Sequence, residues 1–251
     1  MANTLNLGTM TLDGKPASMG FAGARLSGQA FTLTDTIMGH ELSWVIVGNM
    51  LIASHCLLRD LSFNDLDDIG LVEPQPIRLD GRDFIMRLPQ VGRAPGLPNE
   101  WDSALDAAGE DDDVWHWSDM RCWGSDRFLR IDGMRPVRGE TARGWFYAGE
   151  DDWENNGWRP VLEPVAVEFN DDLIGKTISI WNGQEILDGQ LVSYNDYDLC
   201  LIRCMPCPYG SANKNRTWFS EALTGETLVD RAQVGIIQLR EEKVIGNGYF
   251  L

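Results

Sequence analysis

The sequence predicts an α+β protein that is rich in β-strand. Short runs of β-branched and aromatic residues alternate with glycine, asparagine and aspartate turns along most of the chain, a pattern typical of strands joined by tight turns. In addition, seven of the ten tryptophans lie between residues 99 and 164. Such a cluster favours a compact core with little regular structure, an aromatic binding surface, or both.

The first part of the chain is predicted to be a β-rich lead-in that covers residues 1–75. Residues 5–12 predict a strand, and residues 44–53 predict a hairpin that turns at Gly48 and Asn49. Two prolines at positions 74 and 76 follow, and we expect them to mark the boundary.

The middle part begins with a second predicted hairpin over residues 77–87, which turns at Asp80-Gly81. Residues 89–98 are punctuated by proline and glycine and predict a loop. Residues 100–108 then predict a short helix, because Asn99 is a favoured N-cap and acidic residues occupy the first turn.

Four sequence blocks in this middle part carry a resemblance to a known fold. The blocks are Asn99-Glu100-Trp101-Asp102, Val114-Trp115-His116-Trp117, Arg138-Gly139 with Ala142-Arg143-Gly144-Trp145, and Gly157-Trp158-Arg159-Pro160-Val161-Leu162-Glu163. They resemble the end of the formylglycine-generating-enzyme-like and C-type-lectin-like fold, especially modules from phages and mobile elements of gut bacteria. The resemblance implies a C-type-lectin-like module over residues 76–164.

The resemblance also implies roles for individual residues. The tryptophans at 115, 117, 145 and 158 are expected to be mostly core, and Arg138, Arg143 and Arg159 are expected to hold buried loops by donating to backbone carbonyls. The formylglycine-generating enzymes bind copper through two cysteines in this region. Only Cys122 lies in the corresponding stretch here, so we do not expect that activity.

The last part, residues 165–251, is predicted to form a small β-barrel. Turn signals at Asn182-Gly183, Asp188-Gly189 and Asn195-Asp196 are spaced as in a meander. The strand rhythm and the turn that begins at Trp181 resemble SH3-like and Sm-like barrels. Since no obvious basic set is present, the resemblance favours a scaffold or homo-oligomerising role over RNA binding.

The formal charge of −17 restricts the classes of partner that the protein can bind. It argues against binding to a nucleic acid backbone or to an anionic membrane surface, because both require a basic footprint. Neither a spanning apolar run nor a secretory signal is evident, so we expect a cytoplasmic protein, in a host cell if the resemblance to phage modules holds.

Cysteine usage leaves one enzymatic alternative open. The triplet Cys200, Cys204 and Cys207 has the spacing of three ligands of an iron–sulfur cluster, as radical enzymes use it. In those enzymes a large α/β barrel follows the triplet, but no such barrel follows it here and no fourth ligand lies nearby in the sequence. We therefore expect no metal at the triplet and no cofactor. An iron–sulfur or thiol oxidoreductase remains the alternative.

The predicted ligand site is the aromatic and acidic loop before the last strand of the lectin-like module. Stacking and polar contacts there suit a sugar, a base or a protein side chain. Calcium binding by residues 150–156 is left open. The site consists of Trp123, Trp145, Tyr147, Asp151, Asp152, Trp153, Glu154 and Asn155.

The sequence thus predicts a non-enzymatic binding protein without catalytic residues. The resemblance to phage modules suggests an accessory protein that neutralises a host defence factor, either by binding a host protein or by sequestering a small ligand. A phage receptor-binding or sugar-binding module is a further alternative.

Overall fold

The computed structural model describes residues 3–19, 21–22, 30–129, 131–143, 147–203, 217–222 and 225–241. Strands dominate these residues, in four sheets, and the three α-helices are short. In chain order the strands and helices are β1 (Thr4–Asn6), β2 (Thr9–Leu12), β3 (Lys15–Pro16), β4 (Phe21–Ala22), β5 (Phe31–Thr34), β6 (Ser43–Val47), β7 (Met50–Ala53), β8 (Leu58–Leu61), α1 (Phe63–Asp68), β9 (Gln75–Leu79), β10 (Arg82–Arg87), α2 (Glu100–Ala108), α3 (Asp112–Trp115), β11 (Cys122–Trp123), β12 (Arg135–Arg138), β13 (Tyr147–Gly149), β14 (Asn156–Trp158), β15 (Val161–Pro164), β16 (Thr177–Trp181), β17 (Ile186–Tyr194), β18 (Asp198–Arg203), β19 (Phe219–Glu221), β20 (Glu226–Asp230) and β21 (Ile236–Leu239). The prediction of a β-rich fold is confirmed.

The central sheet joins the lead-in to the middle part. Its strand order is β1-β6-β7-β15-β10-β9, and β15 pairs antiparallel with both β7 and β10. Residues 1–75 therefore contribute three strands to the sheet that residues 76–164 complete. Of the two prolines at the predicted boundary, Pro74 precedes β9 and Pro76 lies within β9, an edge strand of this shared sheet.

Both faces of the central sheet are covered, as alternation along β6 illustrates. Trp44 and Ile46 point into the largest core cluster, while Val45 and Val47 pack in a second cluster with Trp101 of α2. Trp115 and Trp158 are also buried in these two clusters, as the sequence predicted for them. Tryptophan therefore serves mainly to fill the core.

A second six-stranded sheet carries the remaining strands of the middle part. Its order is β13-β12-β11-β14-β8-β4, in which β8 and β4 come from the lead-in. The short strands β11 and β14 pair in parallel where Cys122 faces Gly157. This sheet holds Trp123 and Trp158 against the largest core cluster.

The C-terminal sheet is antiparallel and open among the described residues. Its order is β19-β20-β18-β17-β16-β21, so its two edge strands do not pair with each other there. The predicted small barrel is corrected to an open sheet for this part of the chain. Trp181 of β16 packs in the largest core cluster, with its ring in edge-to-face contact with Phe84 of β10.

Local signals explain most of the turns. Asp80 and Gly81, with φ of 49° and 77°, join β9 to β10 as the predicted hairpin requires. The prediction of a turn at Asp188-Gly189 is wrong, because β17 runs through both residues without interruption. The predicted helix is confirmed as α2, whose N-cap Asn99 accepts a hydrogen bond from the Asp102 amide.

Candidate functional site

Trp123, the first residue of the predicted ligand site, is part of the core. Its side chain is fully buried, its Nε1 donates to the Leu61 carbonyl at 2.9 Å, and its ring meets Phe63 edge-to-face. A ligand has no access to this ring. The assignment of Trp123 to the site is corrected, because β11 points its side chain inward.

Two further predicted residues support the loop from below. Tyr147 is half-buried, packs against the largest core cluster and lies under the Arg121 guanidinium, which is 5.0 Å from the ring centroid. Asp151 accepts a hydrogen bond from Arg135 Nε at 2.9 Å. Their contacts suit them to fixing the loop.

The remaining predicted residues form the exposed tip of the loop, and Trp145 lies outside the described residues. Asp152, Trp153, Glu154 and Asn155 are all exposed. Trp153, at 37% exposure, is the most exposed tryptophan in the part of the chain that the structure describes. Trp153, Glu154 and Asn155 line a shallow, open depression of about 420 Å³.

The base of this tip is held by hydrogen bonds and an ion pair. The Asp151 carbonyl accepts the Asn64 amide at 3.0 Å, which ties the loop to α1, and the Trp153 amide donates to the Glu150 carbonyl at 3.1 Å. Arg127 is a second cation beside Asp151, with its NH1 at 3.5 Å from Asp151 Oδ2. Trp153 thus projects from an anchored turn.

A cluster of chemically active side chains that the sequence analysis did not bring together lies elsewhere. His55 follows β7 and His116 follows α3, and their rings stack with centroids 3.5 Å apart. Asp119 Oδ2 is 3.9 Å from His116 Nδ1. Burial, the neighbouring His116 and the Arg159 charge lower the pKa of His55 to about 4.

Two buried thiols lie next to the histidines in sequence or in space. Cys56 follows His55 directly, is free, and hydrogen-bonds with the free thiol of Cys122. That hydrogen bond lowers the pKa of Cys56, while burial raises the pKa of Cys122. Cys56 belongs to the lead-in, whereas Cys122 belongs to the middle part of the chain. The sequence motifs of residues 76–164 therefore could not reveal that Cys122 has a second cysteine beside it.

Arg159 organises this region. Its NH1 donates to the carbonyls of Ser54 at 3.0 Å and Trp115 at 2.7 Å, and its NH2 donates to the carbonyl of His116 at 2.9 Å. The expectation that Arg159 holds buried loops through carbonyls is confirmed. The only sequence signal for the cluster was the histidine between Trp115 and Trp117, because His55 is 61 residues earlier.

Metal-ligand geometry separates the histidine cluster from the predicted loop. Within the described ranges, the one group of three His, Cys, Asp or Glu residues whose ligand atoms all lie within 4.8 Å of one another is His55, His116 and Asp119. The loop over residues 150–156 offers no such group. Cys200 is half-buried in β18, whereas Cys204 and Cys207 lie outside the described residues.

Comparisons with protein-family models, with curated proteins and with solved structures found no match to this chain. No helix among the described residues is long and apolar enough to span a membrane.

Proposed function

We propose that this chain is a binding protein that recognises a basic segment of a partner protein at the loop tip formed by Asp152, Trp153, Glu154 and Asn155. The observation that carries the proposal is the exposure of Trp153 on an anchored turn. The other tryptophans in the described residues fill cores or are half-buried, so Trp153 is the exception among them. Tryptophan is enriched among the residues that dominate binding energies.

The shape of the depression favours a protein partner over a small molecule. Small-molecule sites enclose most of their ligand's surface. The depression beside Trp153 is shallow and open, which suits a side chain presented by a folded or extended partner. Asn155 and Glu154 supply polar contacts at its rim.

Charge selects a basic partner. Asp152 and Glu154 flank the Trp153 ring, and the whole chain carries a formal charge of −17. A lysine or arginine that stacks on an indole gains a cation–π interaction of about 0.5–1 kcal/mol at an exposed site. The surrounding negative field also accelerates encounter with a basic surface.

We also propose that residues 77–164 have the C-type-lectin-like topology that their motifs resemble. The pairing of β10 with β15 supports this, because it closes the segment on itself around α2 and α3. Neutralisation of a host defence factor by a phage-encoded protein stays a prediction from the same resemblance. If that prediction holds, the host factor must present a basic surface to the loop tip.

The test is a selection from a random peptide display library on the immobilised full chain, followed by affinity measurements on selected peptides. We expect basic peptides to be enriched. We expect Trp153→Ala to weaken their binding by about tenfold or more, the effect of an aromatic hot spot. We expect Glu154→Gln mainly to slow association.

Tyr197→Ala is the matched control. Tyr197 is an aromatic residue with 79% exposure in another acidic turn, between Asp196 and Asp198. Binding that depends equally on Tyr197 and Trp153 would indicate unspecific attraction to acidic turns and would refute the site. A selection that enriches no basic peptides would refute the partner class.

A further inference from the structure

His55, His116 and Asp119 lie together although they come from two distant parts of the chain. His55 is two residues after β7, and His116 caps α3 in the left-handed conformation with φ of 45°. Asp119 follows on the same exposed loop. Their ligand atoms all lie within 4.8 Å of one another, close enough for side-chain rotation to bring them to one ion.

We propose that His55, His116 and Asp119 bind a divalent transition-metal ion of the zinc class. Two imidazoles and one carboxylate are a ligand set that zinc and its neighbours in the first transition row accept. Three protein ligands leave a fourth position for water or an external ligand. This site is separate from the Trp153 loop and does not depend on its function.

The hydrogen bond to Ser54 orients the first ligand. His55 Nδ1 lies 2.8 Å from Ser54 Oγ. A neutral imidazole that donates from Nδ1 to this hydroxyl presents an unprotonated Nε2. Metal-binding histidines are held in this way, with the second ring nitrogen bonded to a protein acceptor.

Arg159 fixes the backbone under both histidines. Its guanidinium is fully buried and bridges the carbonyl of Ser54, next to His55, and the carbonyl of His116 itself. The two ligands are thereby held against each other before any ion arrives. A metal site needs such support, because its ligands must be held close to the binding geometry, and here it applies to the backbone that carries both rings.

The stacked rings must open to receive the ion. Their planes are 23° apart, so their in-plane lone pairs do not yet converge on one point. Both rings are partly exposed and Asp119 is exposed, so the ion has a path from solvent. We expect the ligand atoms to converge by rotation about the side-chain torsions, because Arg159 holds the carbonyls of Ser54 and His116 in place.

The types of ligand atom and the nearby charge determine which ions the site binds. Calcium and magnesium are held mainly by several oxygen ligands, and this site offers one carboxylate. The Arg159 charge nearby further disfavours an ion bound by electrostatics alone. Imidazole ligands suit zinc, copper, nickel and iron, so the site selects that class.

The test is a titration of the chelator-treated full chain with Co²⁺, followed by visible absorption, and a competition with Zn²⁺. We expect one Co²⁺ per chain, d–d bands of a nitrogen- and oxygen-ligated ion, and displacement by Zn²⁺. Asp119→Asn and His55→Ala should each weaken binding by about tenfold or more, and Ser54→Ala by about tenfold.

His40→Ala is the matched control, because His40 is the one other histidine of the chain and is exposed. We expect it to leave binding unchanged. Asp119→Asn changes an exposed side chain, and His116→Asn keeps a residue that tolerates the left-handed conformation, so both variants are expected to fold.

Two results would overturn the proposal. One is a chain that binds no Co²⁺, or binds it equally well when His55 and Asp119 are replaced. The other is an intense thiolate-to-cobalt charge-transfer band that disappears in the Cys204→Ser/Cys207→Ser variant, since that band would assign the ion to the cysteine triplet.

Discussion

At the scale of single residues, buried arginines determine how the irregular loops are held. Arg159 lies 4.2 Å from the Trp115 ring centroid and 5.4 Å from that of Trp101, and it satisfies three backbone carbonyls. Its planar fork serves several acceptors at once, which a lysine cannot do. Arg143, by contrast, is partly exposed and pairs with Asp106 and Glu110.

We therefore predict that Arg159→Met lowers the free energy of unfolding by about 3 kcal/mol or more, because it leaves buried carbonyls without donors. Arg143→Met should change it by about 1 kcal/mol or less, since exposed ion pairs contribute little. Urea denaturation of the two variants and the parent measures both values. Equal effects would show that Arg159 does not hold the loops.

The sequence predicted part of the candidate site at this scale. The sequence analysis placed Trp153 and its polar neighbours on a loop, and the structure shows them exposed, while their role in binding stays a prediction. The burial of Trp123 did not follow from the sequence, because the direction of its side chain depends on the pairing of β11 with β12 and β14. The proximity of His55 to His116 depends on tertiary packing, so no local spacing predicts it.

At the scale of elements, turns and caps are local and were predictable, whereas long-range partners were not. Asp80-Gly81 and Asp188-Gly189 are the same dipeptide, and the first one turns. Asp188 instead lies within β17, and its Oδ1 accepts a hydrogen bond from Ser179 Oγ of β16 at 2.6 Å. Gly189 suits the close approach of β17 to β18, because an added Cβ would lie 3.0 Å from the Ile202 carbonyl oxygen, a tight contact.

The helix cap provides a second prediction. Asn99→Ala should lower the free energy of unfolding by about 1 kcal/mol, because it removes the side-chain acceptor of the Asp102 amide at the start of α2. Asn99→Asp should restore only part of the loss, since aspartate also caps and favours the positive end of the helix, but it loses the 2.8 Å hydrogen bond from Asn99 Nδ2 to Asp102 Oδ2. Thermal unfolding of the three proteins tests this, and an Asp variant as unstable as the Ala variant would contradict it.

At the scale of the whole molecule, the first two predicted segments share two sheets, and buried ion pairs at Asp188 join the third segment to them. Arg82 of the central sheet donates from NH2 to Asp188 Oδ2 at 2.5 Å and from Nε to Ser179 Oγ at 2.8 Å. Arg240 approaches the same carboxylate oxygen at 2.9 Å. The C-terminal sheet is therefore attached to the central sheet by polar contacts as well as by Trp181.

The titration of Asp188 gives the last prediction. Burial alone would raise its pKa, but the charges of Arg82 and Arg240 and the Ser179 hydrogen bond hold the pKa below its ordinary value. A carboxyl whose pKa is lower in the folded state stabilises the fold above its unfolded pKa of about 4, and this stabilisation is lost as the pH falls through the folded value. Asp188→Asn should therefore cost about 3 kcal/mol at pH 7, because Arg82 is left buried without its counter-charge.

The difference between the parent and Asp188→Asn should shrink as the pH is lowered below about 4, where the parent carboxyl also loses its charge. Urea denaturation at a series of pH values measures this difference directly and cancels the other carboxylates. Asp196→Asn, which removes one exposed charge from the turn between β17 and β18, is the matched control and should have a small effect at every pH. A difference for Asp188→Asn that stays constant down to acid would show that the carboxylate charge does not attach the C-terminal sheet, and the junction would then rest on the packing of Trp181 against Phe84.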